Sequence, residues 1–140
     1  MRFMPPFYPS IFVCLYLVFV FALTACSSNK ATLNVTATDQ GYDSSTYTVP
    51  AGAEVTVNLI NKGAIVHVFN ILKQGEHVSP PYKPEDEAKI MWELVAKVGE
   101  TKSGTFTAPT EPGEYDIICR VPGHIQLGMA ATLIVEEAKK

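Results

Sequence analysis

The chain has 140 residues, with 11 Lys and Arg against 14 Asp and Glu and a hydrophobic content of 47%. That length holds one globular core and little else. Arg2 alone among the basic residues precedes Cys26, so the remainder carries a net charge of −4, which argues against nucleic acid as a partner.

Ile11 to Leu23 is an unbroken apolar run of 13 residues, short for a bilayer span and suited to a secretory signal. Leu23-Thr24-Ala25-Cys26 resembles the bacterial lipoprotein processing box. The resemblance implies a signal peptide over 1–25, lipidation of the Cys26 thiol, and export to the bacterial cell envelope. The product would be tethered to a membrane and face the periplasm or the exterior. An uncleaved anchor and an ordinary secretory signal are the alternatives. Residues 26–30 then form a polar tether reaching about 17–25 Å, and residues 31–140 form the domain.

Ala31 to Thr38 alternates Leu33, Val35 and Ala37 with polar neighbours, the period of a half-buried strand. Asp39 to Ser45 is a loop by composition, and Thr46 to Val49 is a short strand ended by Pro50. Glu54 to Asn61 alternates again, and Ile65 to Leu72 is a further strand. The Asn61-Lys62-Gly63 turn between them predicts a hairpin. Pro80, Pro81 and Pro84 interrupt the β pattern. From Glu85 to Ala96 an acidic start and the spacing of Ala88, Met91, Trp92 and Val95 predict a helix burying that face. Thr101 to Ala108, Tyr115 to Cys119 and Ala130 to Glu136 read as strands. Seven or so short strands with Pro and Gly turns and one short helical insertion predict an all-β fold, a Greek-key β-sandwich.

Between the last two strands lies Cys119-Arg-Val-Pro-Gly-His124-Ile-Gln-Leu-Gly-Met129. Cys14 falls in the signal and Cys26 would be lipidated, which leaves Cys119 as the lone thiol of an exported domain, where cysteines are usually paired. A thiolate, an imidazole and a weak thioether on one loop, with a second histidine from an earlier strand, form the donor set that blue copper takes. His67 is the candidate for that second imidazole. Each residue alone could be packing: His67 a buried structural residue, His124 an exposed loop residue, Met129 a core plug. The combination is what points to a metal. Zinc would call for more thiols or histidines, and His77, in a polar loop, is expected to be exposed.

The Cys-x4-His-x4-Met loop, the Tyr115-Asp-Ile-Ile-Cys119 strand and the Gly-Met-Ala-Ala-Thr-Leu-Ile-Val ending resemble those of the cupredoxins, in particular the plastocyanin/azurin group and its auracyanin-like branch. The resemblance covers about residues 31–136. It implies one type 1 copper per chain, with His67, Cys119 and His124 as equatorial ligands and Met129 as the long axial one. It also implies an apolar docking patch for electron entry around His124, drawn from Pro122, Gly123, Ile125, Leu127 and Gly128, with Ala64 and Ile65 beside it.

The implied function is a membrane-tethered one-electron carrier between redox proteins such as membrane complexes or cytochromes, a monomer and not an enzyme. A copper-binding module for storage, delivery or sensing is the alternative, and four Met, two of them in the signal, suit it poorly. Ile118 and Arg120 flank Cys119 where a coupled catalytic copper would need His, and Gly123 stands where a binuclear site would need a second Cys. Cupredoxins often place Asn after the first ligand His and Ser or Thr after the Cys. Val68 and Arg120 occupy those positions here, which predicts a shifted potential or spectrum without loss of copper.

Overall fold

A computed structural model describes Met1 and residues 29–138; the processing box and Cys26 lie outside the described residues. Strands β1 (Lys30–Thr38), β2 (Gly41–Tyr42), β4 (Glu54–Asn61) and β7 (Thr101–Thr107) form one sheet in the order β2-β1-β4-β7. Strands β3 (Thr46–Pro50), β5 (His67–Leu72), β6 (Ile90–Ala96), β8 (Gly113–Ile118) and β9 (Ala130–Glu136) form the other, in the order β3-β9-β8-β5-β6. β1 runs parallel to β4 and β3 parallel to β9, while the other pairs are antiparallel.

The core lies between the sheets and follows from the period-two pattern. In the β1–β4 register Leu33 stands beside Val57 and Val35 beside Leu59, so both strands turn the same apolar set inward. Phe69 and Ile71 of β5 meet them from the other sheet with Ile117 and Leu133, all fully buried. Tyr42 and Tyr47 set their rings edge-on to Phe69, at centroid distances of 5.3 and 5.7 Å, and the Tyr42 hydroxyl donates to the Val68 carbonyl. The Tyr115 hydroxyl donates back to the Glu111 carbonyl at 2.8 Å, fixing the entry into β8.

The structure corrects three expectations. β4 and β5 do not form a hairpin: β4 pairs with β1 and β7, and β5 with β6 and β8. The Asn61–Gly63 turn instead carries the chain from one sheet to the other. Asp39 to Ser45 is not all loop, because Gly41 and Tyr42 pair with Ala37 and Thr38.

The expected helix over 85–96 divides into a 3-10 helix at Pro84–Lys89 and strand β6. Asp86, expected in a solvated helix start, is buried and accepts the Lys83 amide and the Lys89 ammonium. Beyond Lys89 the periodicity of two wins. Leu94 and Ala96 are buried and Trp92 packs on Phe106 at 5.0 Å, while Met91 and Val95 are exposed, and so is Ala88. Among the described residues no helix is long and apolar enough to cross a membrane.

Candidate metal centre

β5 and β8 are antiparallel, with Asn70 opposite Ile118. The start of β5 therefore lies beside the end of β8, and one end of the sandwich carries His67 and Cys119 together. Cys119 sits one residue past β8, and His124 follows in a run of tight turns. Hydrogen bonds close that loop on itself: the Met129 amide donates to the His124 carbonyl at 2.9 Å, and the Cys119 amide to the Met129 carbonyl at 3.2 Å. Gly123 enters the turn at φ +89°, a conformation that side-chain-bearing residues rarely adopt.

The side chains converge. One donor atom from each of His67, Cys119 and His124 lies within 4.8 Å of the others, and all three residues are buried. His124 Nδ1 lies 3.2 Å from Cys119 Sγ, and the two imidazole centroids are 5.0 Å apart. Met129, 2% exposed, closes the loop through its backbone bonds to His124 and Cys119. His67 Nδ1 is buried with no hydrogen-bond partner. A buried orphan nitrogen costs free energy unless something occupies its lone pair. Its placement in a cluster holding a thiol and a second imidazole is what a metal ligand requires.

Burial pushes the Cys119 thiol above its ordinary pKa, against the opposing pull of the Val68 and Val121 amides. The Val68 amide donates to Sγ at 3.4 Å. Burial, helped by the neighbouring His67, pushes His124 down. Both shifts favour the neutral forms of Cys119 and His124, and a cation would reverse the balance at Cys119 by binding the thiolate. Thiolate, two imidazoles and a thioether fit copper better than zinc or a hard cation.

The surrounding contacts are ones that local sequence does not display. On the far side of the His67 ring, Nε2 faces Asp39 Oδ1 at 3.1 Å. Both Asp39 oxygens accept the Ala64 amide, and this bond is the chief cause holding its carboxyl below the ordinary carboxylate range. Asn61, 2% exposed, donates to the Ile65 and Ala96 carbonyls and accepts the Gly63 amide, fixing the segment that leads to His67.

Arg120 grips Glu93 of β6 through two bonds, at 2.5 and 3.0 Å, and Asn70 of β5 donates to the same carboxylate at 2.7 Å. The segments of His67 and Cys119 are therefore tied by this bracket and by the Val68 amide, without an Asn at 68 or a Ser at 120. Asp39 and Glu93 stand 28 and 27 residues from the groups they hold, so only the folded topology reveals them.

The residues expected to form a docking patch are at the same end. Pro122, Gly123, Leu127 and Gly128 are exposed and Ile125 is half-buried; Leu127 is 71% exposed. Ala64 and Ile65 are exposed beside them in the chain segment before His67, and so is Val66. His124 itself is 5% exposed. His77 is exposed as expected and pairs with Asp116 at 2.7 Å.

Residues 11–135 match the model of a family described as a cupredoxin-like domain. Auracyanin-B of Chloroflexus aurantiacus is 29% identical over 105 residues, covering 62% of this chain and 43% of its own. Sulfocyanin of Sulfolobus acidocaldarius is 27% identical over 128 residues, covering 84% and 62%. The chain thus spans about half the length of these curated relatives. Among solved structures, auracyanin A of Chloroflexus aurantiacus, described as a "blue" copper protein, superposes with a TM-score of 0.64 at 31% identity, over 77% of this chain and all of that one. Reduced auracyanin from Roseiflexus castenholzii gives 0.63 at 28%, over 75% and 96%. The chain belongs to the cupredoxin-like family, and the donors gathered at one end of its sandwich suit one type 1 copper ion.

Proposed function

We propose that the protein is a one-electron carrier in the cell envelope, held at a membrane by a lipid on Cys26. Copper would be bound by His67, Cys119 and His124, with Met129 as the weak axial donor. The observation that carries this reading is the buried convergence of two imidazoles and a thiol, together with a His67 nitrogen that has no hydrogen-bond partner. When bound, the copper supplies a single electron that it takes up and gives back.

The protein's part is to keep the ligands still while that happens. Val68 and Met129 hold the Cys119 segment through backbone bonds, the His124 carbonyl is held by the Met129 amide, and Asp39 and Arg120 brace the strands behind. Ligands locked by packing and by further hydrogen bonds rearrange little between oxidation states. Burial of every donor opposes ready exchange of the metal, which favours transport of electrons over storage or delivery of copper. Partners would dock on the apolar end built from Ile65, Val66, Pro122, Gly123, Ile125, Leu127 and Gly128, with the His124 ring as the route inward.

Electron self-exchange tests the carrier and its docking face together. NMR line broadening in mixtures of Cu(I) and Cu(II) protein should show exchange between copies. Leu127→Glu should slow it about tenfold by placing like charges face to face without changing the visible spectrum. Release of copper on reduction would contradict the carrier reading, and an unaltered rate would move the docking face elsewhere. For the anchor, Cys26→Ser should shift the protein from the membrane to the soluble fraction of broken cells; an unchanged partition would rule out lipidation at Cys26.

A further inference from the structure

The turn after β1 brings Asp39 against the ring of His67. That ring is fully buried, so its two nitrogens have only the surroundings the protein gives them. A carboxylate can only accept, so the proton sits on Nε2, which donates to Asp39 Oδ1 at 3.1 Å. The lone pair is then on Nδ1, the atom without a protein partner.

A second feature is built around the same contact. Gly63 passes so close that a Cβ there would fall onto both Asp39 Oδ1 and His67 Nε2. Asp39 is in turn fixed by accepting the Ala64 amide, at 3.0 and 2.9 Å for its two oxygens. A carboxylate, a glycine that makes room for it and an amide that aims it all serve one bond to one imidazole.

We propose that Asp39 is a positioning residue for His67, which fixes the ring's tautomer and strengthens its donation to copper, so lowering the reduction potential of the site. The proposal rests on His67 being a ligand. A carboxylate accepting the far N–H of a ligating imidazole raises the basicity of that ligand. A more basic donor favours Cu(II) over Cu(I), and the electron is correspondingly harder to add.

The test is the potential of the copper-loaded mature protein, measured with its visible spectrum. Asp39→Asn keeps the size of the side chain but removes the charge. It should raise the potential by about 59 mV, a tenfold loss of preference for Cu(II) in a one-electron couple, with the colour retained. Gly63→Ala keeps the charge but sets a methyl against both the carboxylate and the ring, so that their bond cannot form, and should raise the potential in the same direction.

Repeating both in about 1 M salt, where charges are screened within about 3 Å, separates a bond to the ligand from a distant field. A rise in both variants that survives salt supports the proposal. An unchanged potential in Asp39→Asn, or a rise that vanishes in salt, overturns it. If Gly63→Ala does not fold, Asp39→Asn with its salt series decides alone. If the natural chain binds no copper, the ligand assignment fails first and the proposal falls with it.

Discussion

At the scale of single residues, the central tension is between burial, which favours the protonated Cys119 thiol, and the proposed copper ligation, which needs it ionised. Burial is the leading cause raising the Cys119 pKa, and two backbone amides oppose it only in part. His124 is pushed the other way, towards its neutral form, again chiefly by burial. Copper binding near pH 7 should therefore displace about one proton, from Cys119, and copper affinity should fall about tenfold per pH unit below the thiol pKa. Calorimetry in two buffers of different ionisation enthalpy counts that proton. A count of zero would contradict ligation by the thiolate.

Cys119, His124 and Met129 were legible because they share one loop and their spacing can be counted. His67 followed from being the one histidine of three that falls in a strand-like run. Asp39 was not legible, because nothing around it in sequence distinguishes it from an ordinary turn residue. Its role arises where β1 and the β4–β5 connection meet in space.

At the scale of elements, β6 is where pattern reading failed, and the failure has a physical basis. Trp92 and Val95 satisfy a helical face over so short a run, while Trp92, Leu94 and Ala96 satisfy a strand. The pairing of β6 with β5, with Val68 opposite Val95 and Asn70 opposite Glu93, decides the matter. That pairing also delivers Glu93 to Arg120.

The Arg120 bond is the first cause lowering the Glu93 pKa, with the Asn70 bond adding to it. A carboxyl depressed in the folded state stabilises the fold above its unfolded pKa of about 4.3 and loses that contribution as pH falls through the folded value. Glu93→Gln should cost about 1 kcal/mol at pH 7, or about 5 °C in Tm for a domain of this size. The gap to the natural protein should close below about pH 4. Thermal melts from pH 7 to pH 3 check this; a gap that persists unchanged would mean that the bracket is not electrostatic.

At the scale of the whole molecule, two sheets close over one apolar core and gather the candidate copper donors at one end. Most strand positions and the sandwich class were readable from alternation and turn residues, because strands such as β1, β4 and β9 bury a single face of Val, Leu and Ala, while β5, buried along its whole length, was readable as a short apolar run. Membership of sheets was not. The Asn61–Gly63 turn looks like a hairpin turn, yet the chain crosses between sheets there, and that crossing brings Asn61, Gly63 and His67 to the site.

The apolar residues left exposed at this end, Ile65, Val66 and Leu127, are joined by Val98, two residues beyond the Ala96 that pairs with His67. If copper binds as proposed, it would lie beneath this apolar surface, which suits the proposed brief contacts with redox partners. The visible absorption spectrum of the mature protein titrated with Cu(II) tests the ligand set most directly. One equivalent should give an intense thiolate-to-copper band that a mild reductant bleaches reversibly, and Cys119→Ser should abolish it. A protein that stays colourless while its copper is bound, or a band that survives Cys119→Ser, would contradict the account.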